Sequence, residues 1–323
     1  MLRHIARIVP VALAATLLFT GLSCESAPAP RAEPVPTSKA EPVQPSSPEP
    51  TPGGRIVFRS NADHRTGEIY SVRPDGTDLK RITEDGGVVS AEPSWSRDGH
   101  LIVWYGGLGG RADIYLASAD GSLPHALNLG GNAVSPDISP DGRRIAFVEV
   151  SGESLHVLEL PDGRAVFLCG PASWPDWSPD GKQLLVTHWG SGRVGELHVV
   201  DAATAERRKL TVRGEDGICQ QAQWSPDGQR IAYASNKDGT LDIWVMDAEG
   251  GSRRNLTGSW DTSDEAAPTW SPDGSRIAFD SDKEGSHDIW VMKADGSARR
   301  RVTQSSADET EPDWGPGFLS GAN

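Results

Sequence analysis

The chain has 323 residues, of which 36 are Gly, 24 are Pro and 24% are charged. So many turn formers exclude a bundle of long helices. The formal net charge of −14, from 31 Lys and Arg against 45 Asp and Glu, excludes a basic footprint for phosphate backbones, so no nucleic-acid partner is expected. Three Cys are too few for a disulfide-framed scaffold.

At the start of the chain, Arg3 and Arg7 precede an apolar run from Ile8 to Leu22 that Pro10 interrupts. The run is shorter than the ~20 residues a spanning helix needs, so residues 1–23 read as a secretory signal. Ser23-Cys24 has the form of the end of a bacterial lipoprotein signal, which makes Cys24 the expected lipidated N-terminus. Gly21 stands where a branched aliphatic residue is usual, and a plain cleaved signal is the alternative. Either reading exports the protein, to the periplasm or as a lipoprotein of the cell envelope, with membrane contact through the anchor only. Residues 24–53 are Pro, Ala, Ser and Glu without apolar periodicity and read as a disordered tether. Residues 318–323 read as a tail.

From Gly54 onward one phrase recurs. Its first part is Trp95-Ser-Arg-Asp-Gly99, Ile138-Ser-Pro-Asp-Gly142, Trp177-Ser-Pro-Asp-Gly181, Trp224-Ser-Pro-Asp-Gly228, Trp270-Ser-Pro-Asp-Gly274 and a decayed Trp314-Gly-Pro-Gly317, at steps of 39 to 47 residues. Pro presets φ, Asp bonds its own backbone and Gly takes a positive φ, so each is a hairpin turn. An apolar run such as Arg230 to Ser235 follows, then a polar Gly turn, a second run such as Asp242 to Asp247, and a short closing strand such as Asn255 to Thr257. Four strands per repeat, apolar on both faces, predict an all-β, six-bladed β-propeller over residues 54–317, built of four-stranded antiparallel blades. Arg55 to Thr83 lacks a Trp strand ahead of it, and the strand at Trp314 has nothing after it. The C-terminal strand is therefore expected to complete the first blade and leave no open edge.

Taken together, Trp-Ser-Pro-Asp-Gly, Asp-Ile-Trp-Val-Met and Ala-Asp-Gly resemble the propeller repeats of the TolB family, over residues 54–316. The resemblance implies a rigid six-bladed ring that presents a binding surface. The α/β domain that TolB carries ahead of its propeller has no counterpart here, where the tether stands instead. Similar repeats occur in oligogalacturonate lyases and beside the hydrolase domain of prolyl oligopeptidase-type enzymes. A polysaccharide-processing lyase on the same ring is accordingly the alternative reading.

The chain holds no Gly-x-Ser-x-Gly elbow, phosphate loop, Cys-x-x-Cys, His-Glu-x-x-His or EF-hand spacing. The expectation is a non-catalytic, monomeric binding module without a cofactor. The repeat tryptophans are expected between blades. Trp174, just before Pro175, has no aromatic counterpart in the other repeats and is assigned to the channel mouth. Acidic residues gather ahead of the Trp strands: Glu84, Asp85 and Glu92 before blade 2, Asp264 and Glu265 before blade 6, Asp308, Glu309 and Glu311 before the closing strand. Blades 6, 1 and 2 are neighbours in a closed ring, so these residues are expected on one arc, binding a protein partner, a basic peptide segment or a divalent cation. Cys169 and Cys219 are candidates for a disulfide in an oxidising compartment, with two buried thiols as the alternative.

Overall fold

The computed structural model describes residues 53–62, 66–84, 89–108, 111–130, 132–161, 163–190, 194–212, 214–260 and 262–317. The signal sequence, Cys24, the tether up to residue 52, Asp85 and the tail lie outside the described residues. Twenty-four strands, numbered in chain order, form six four-stranded sheets. Each sheet is one blade, with neighbouring strands antiparallel. The innermost strands are β4 (Val89–Trp95), β8 (Ala133–Ile138), β12 (Ser173–Trp177), β16 (Cys219–Trp224), β20 (Glu265–Trp270) and β24 (Glu309–Gly315).

Closure is as the repeat arithmetic requires. Strand β24 pairs with β1 (Arg55–Ser60) in the register Ile56 with Trp314 and Ser60 with Glu309, making the sheet order β24, β1, β2 (Glu68–Val72), β3 (Lys80–Arg81). The seam is tight enough that Gly54, at φ 98°, leaves no room for a Cβ against the Gly315 carbonyl.

Six buried clusters hold the ring, each shared by two neighbouring blades. One joins Leu185, Leu197 and Val199 of blade 4 to Trp224, Ile231 and Trp244 of blade 5, and another joins Val291 and Val302 of blade 6 to Ile56, Phe58 and Trp314 of blade 1. The repeat tryptophans 95, 177, 224, 270 and 314 are 3 to 6% exposed, which places them between blades as expected. Arginines reinforce two of the joints. Arg144 lies over the Trp177 ring at 4.4 Å and donates to the Gly181 carbonyl of the next blade, and Arg230 repeats this on Trp270 and Gly274. Ser225 Oγ donates to Asp227 in the Ser-Pro-Asp-Gly turn, holding that carboxyl below its usual range, and four other blades repeat the bond.

Of the two readings of Cys169 and Cys219, the structure contradicts the candidate disulfide and shows the buried thiols. Cys169 and Cys219 are both free and buried. They stand two blades apart, Cys169 ending the outer strand of blade 3 and Cys219 opening the inner strand of blade 5, in separate clusters. Burial pushes the Cys219 thiol up to about 11.

Candidate functional site: the central channel

Each inner strand breaks its register at the same place, three residues before the repeat Trp or Ile. The residue there takes a left-handed backbone: Glu92 at φ 49°, Ser135 at 51°, Trp174 at 48°, Gln221 at 49°, Ala267 at 46° and Glu311 at 58°. Non-glycine residues rarely adopt this conformation. A bulge re-aims side chains, and here six of them turn toward the ring axis. Pro follows in five of the six, at 93, 136, 175, 268 and 312, and its ring fixes φ directly after the left-handed residue.

Two rings of side chains result. The deeper ring is Ser94, Asp137, Asp176, Gln223, Thr269 and Asp313, one position before the Trp or Ile. Its members stitch the blades together in one direction. Asp137 accepts from the Trp177 amide (2.7 Å), Asp176 from Trp224 (2.8 Å), Gln223 from Trp270 (2.7 Å), Thr269 from Trp314 (3.0 Å) and Asp313 from Trp95 (2.8 Å). Ser94 differs, donating its hydroxyl to Asp137 (2.7 Å). Gln223 and Thr269 also donate to Asp313. Burial raises the three carboxyls, that of Asp137 to about 7 and that of Asp176 well above its ordinary value, and in these two a neighbouring acid adds to the rise.

The upper ring forms the mouth. Trp174 Nε1 donates to Glu92 Oε1 (2.9 Å) and packs edge-on against Trp189 at 5.9 Å. The Glu92 amide donates to Glu311 Oε2 (2.9 Å), and the Glu311 amide donates to Asp280 Oδ1 (3.2 Å). Burial, and then the Glu311 charge, pushes Glu92 up to about 7; burial also raises Glu311. His287 Nδ1 lies 3.2 Å from Asp280 Oδ2, and this hydrogen bond holds the imidazole at about 9, so it is cationic at neutral pH.

The channel opens into a cavity of about 120 Å³ at this mouth and one of about 200 Å³ at the other end. Ser94, Asp137, Asp176, Gln223 and Asp313 line both, forming the waist between them. At the far end the Ser-Pro-Asp-Gly prolines meet one exception. Arg97 replaces Pro in blade 2, and its Nη1 donates to the Pro226 carbonyl of blade 5 across the ring (3.2 Å). Its charge acts on Asp176 from below.

The family described as the TolB beta propeller domain matches residues 37–168 and 133–265. The chain belongs to the TolB β-propeller family. A TolB homolog from Chlorobium chlorochromatii is 32% identical over 42% of this chain and 31% of its own length. An uncharacterized protein from Agrobacterium fabrum is 38% identical over 55% of this chain and 60% of its own length. The chain thus spans under two thirds of either curated relative. Among solved structures, TolB from Acinetobacter baumannii superposes with a TM-score of 0.70 at 21% identity, over 81% of this chain and 66% of that one. A putative TolB from Agrobacterium tumefaciens gives 0.63 at 22%, over 79% and 89%. At these identities the structural likeness shows the fold.

Within the TolB propeller frame, the expected acidic arc is only partly assembled. Glu92, Trp174 and Glu311 meet at the mouth. Asp264, Glu265, Asp308 and Glu309 do not join them. Asp264 accepts from the Leu241 amide (2.9 Å), and Asp308 is tied to Asn61. Glu265 is 0% and Glu309 4% exposed, accepting from Ser281 and Ser305 respectively, and burial raises both, Glu265 to about 7. The segments read as loops are the first halves of β20 and β24, so alternate residues point between blades instead of into the channel. Glu84 is exposed on the flank of blade 1. Asp137, Asp176 and Asp313 escaped the sequence reading, although each stands directly before the repeat Trp or Ile. Among the described residues no group of three or more His, Cys, Asp or Glu is placed to hold a metal ion. Asn255, in the sequon Asn-Leu-Thr, spends its amide on Asp238 and Asp242.

Proposed function

We infer that this TolB-like propeller is an exported, non-catalytic binding module whose channel mouth receives a basic segment of a protein partner. The observation that carries the reading is the upper ring. Six equivalent positions are fixed by the same bulge, yet they hold Glu, Ser, Trp, Gln, Ala and Glu, so identity varies where geometry does not. Trp174, Glu92 and Glu311 form one contiguous aromatic and acidic arc there, suited to a Lys or Arg side chain by charge and by its ring face. Rigid presentation keeps the ordering cost of binding on the partner's side. Relatives named as Tol-Pal system proteins support a partner within the cell envelope and a periplasmic location. Lipidation at Cys24 would tether the chain to a membrane.

The test titrates the full chain with a Lys-rich decapeptide by calorimetry. Trp174→Ala, and Glu92→Gln with Glu311→Gln, should each weaken binding about tenfold while the melting temperature stays level or rises. Undiminished affinity in both variants would move the site away from the mouth.

A further inference from the structure

Six strands form the rim of the ring, and one departs from the others. Strand β3, together with β7 (His125–Ala126), β15 (Arg207–Lys209), β19 (Arg254–Asn255) and β23 (Arg300–Arg301), is two or three residues long and carries Lys, Arg or His. Each ends its sheet, so one side of its backbone faces no strand, and short charged edges discourage a foreign strand from pairing. Strand β11 (Val166–Cys169) reads Val-Phe-Leu-Cys, the longest of the six and the one without a basic residue. It too ends its sheet, and Val166 is 62% and Phe167 61% exposed. Phe167 is nonetheless held in place, edge-on to His156 at 5.8 Å.

A cation stands at either end of this edge. Arg164 is exposed just ahead of the strand, and exposed Arg207 reaches the Gly170 carbonyl just beyond it (3.1 Å). We propose that β11 is a strand-addition site for an extended segment of a partner protein, with β-branched or aromatic residues in its middle and a carboxylate at each end. Main-chain bonds to the free edge supply affinity and alternate side chains supply selectivity. A second copy of this chain fits poorly. Antiparallel self-pairing would set Arg164 of one copy against the Arg207 end of the other, and like charges facing across strands are unfavourable. Both copies also carry −14. The edge lies on the outermost strand of its blade, whereas the channel is lined by the innermost, so this site stands independently of the mouth.

The probe is the peptide acetyl-Asp-Val-Thr-Val-Thr-Val-Asp-amide, added to the full chain. Hydrogen exchange at residues 166–169 should slow about tenfold, and Phe167→Lys should weaken binding about tenfold. Arg164→Glu combined with Arg207→Glu should do the same; all three positions are exposed, so melting should not change. A peptide with Pro at its central Val should not bind, since it lacks a ladder donor. Protection confined to other segments, equal binding of the Pro peptide or of a Lys-flanked peptide, or no binding at millimolar concentration would overturn the proposal. A reversible dimer in sedimentation equilibrium that Phe167→Lys abolishes would also overturn it, assigning the edge to a second copy.

Discussion

The innermost and outermost strands of each blade occupy the two ends of one sheet and obey opposite rules. Inner strands run five to seven residues, bulge at one fixed point and bury carboxylates with their pKa raised. Most outer strands run two or three residues and carry exposed or half-exposed cations. Where six sheets converge, the amide of each repeat Trp takes its partner from the preceding blade and polar side chains become stitching. Where they diverge, water satisfies the edge and charge guards it. Charge is therefore used differently at the two radii: an acid inside is a hydrogen-bond acceptor for a tryptophan amide, while an arginine outside reaches an acid of its own blade or a carbonyl of a neighbouring one.

The contrast can be broken most severely by removing an inner strand. Truncation before Asp308 deletes β24, exposes one side of β1 and uncovers the cluster around Ile56 and Phe58. A loss of several kcal/mol against a total of ~5 to 15 should abolish the cooperative melting transition, as followed by circular dichroism. A melt within a degree or two of the full chain would show that the ring does not depend on this seam.

Next in size is the inter-blade contact. Trp224→Ala empties the joint between blades 4 and 5 and should cost roughly 3 to 5 kcal/mol in urea unfolding.

A third experiment uses pH. Asp137 is raised to about 7, so between its unfolded value near 4 and 7 the folded protein holds a proton that the unfolded chain releases. Its contribution is fully present below about 4 and is lost as pH rises through 7. His287, raised to about 9, likewise loses its contribution as pH climbs from its unfolded value toward 9. His198 runs the other way. Burial and the adjacent His188 depress it to about 4, so its contribution is lost as pH falls from about 6.5 to 4. Stability is expected to be higher at pH 6 than at pH 8. Asp137→Asn keeps an acceptor for the Trp177 amide and should raise stability at pH 8 by on the order of 2 kcal/mol, with little gain at pH 4. A variant no more stable than the parent at pH 8 would mean that the waist tolerates the charge.

The smallest effect belongs to the rim. Arg254 is exposed and donates only a long bond to the Ala294 carbonyl (3.5 Å), so Arg254→Ala should move stability by about 0.5 kcal/mol or less.

The fold was legible because Trp-Ser-Pro-Asp-Gly repeats often enough to count, and because one unmatched Trp314 and one headless blade imply their own pairing. The site was less so. That phrase marks where an inner strand ends, and the segment before it looks like loop because Pro sits inside it. Alternation would place Glu265 and Glu311 by simple parity, but the bulge between Ala266 and Thr269, repeated at every blade, resets which residues face the axis. Trp174 was found by its oddity among repeats, and Glu92 and Glu311 by the gathering of acids ahead of the Trp strands of neighbouring blades. Asp137, Asp176 and Asp313 were missed because their role lies in a bond to the following blade, 40, 48 and 218 residues away along the chain. Arg97 was visible as a substitution within the turn, yet its reach to blade 5 follows only from ring closure.

The one-way stitching of the waist implies that chain order and ring order are separable. Each acceptor serves the blade ahead of it, and the link from blade 1 to blade 2, Asp313 to the Trp95 amide, crosses no special boundary although its partners lie 218 residues apart. The first and last strands of the ring meet within blade 1, where Gly54 and Gly315 touch. A circular permutant that joins these ends and opens the chain between blades 2 and 3, where Ser94 alone departs from the stitching pattern, should rebuild the same ring with its first and last strands in a different place.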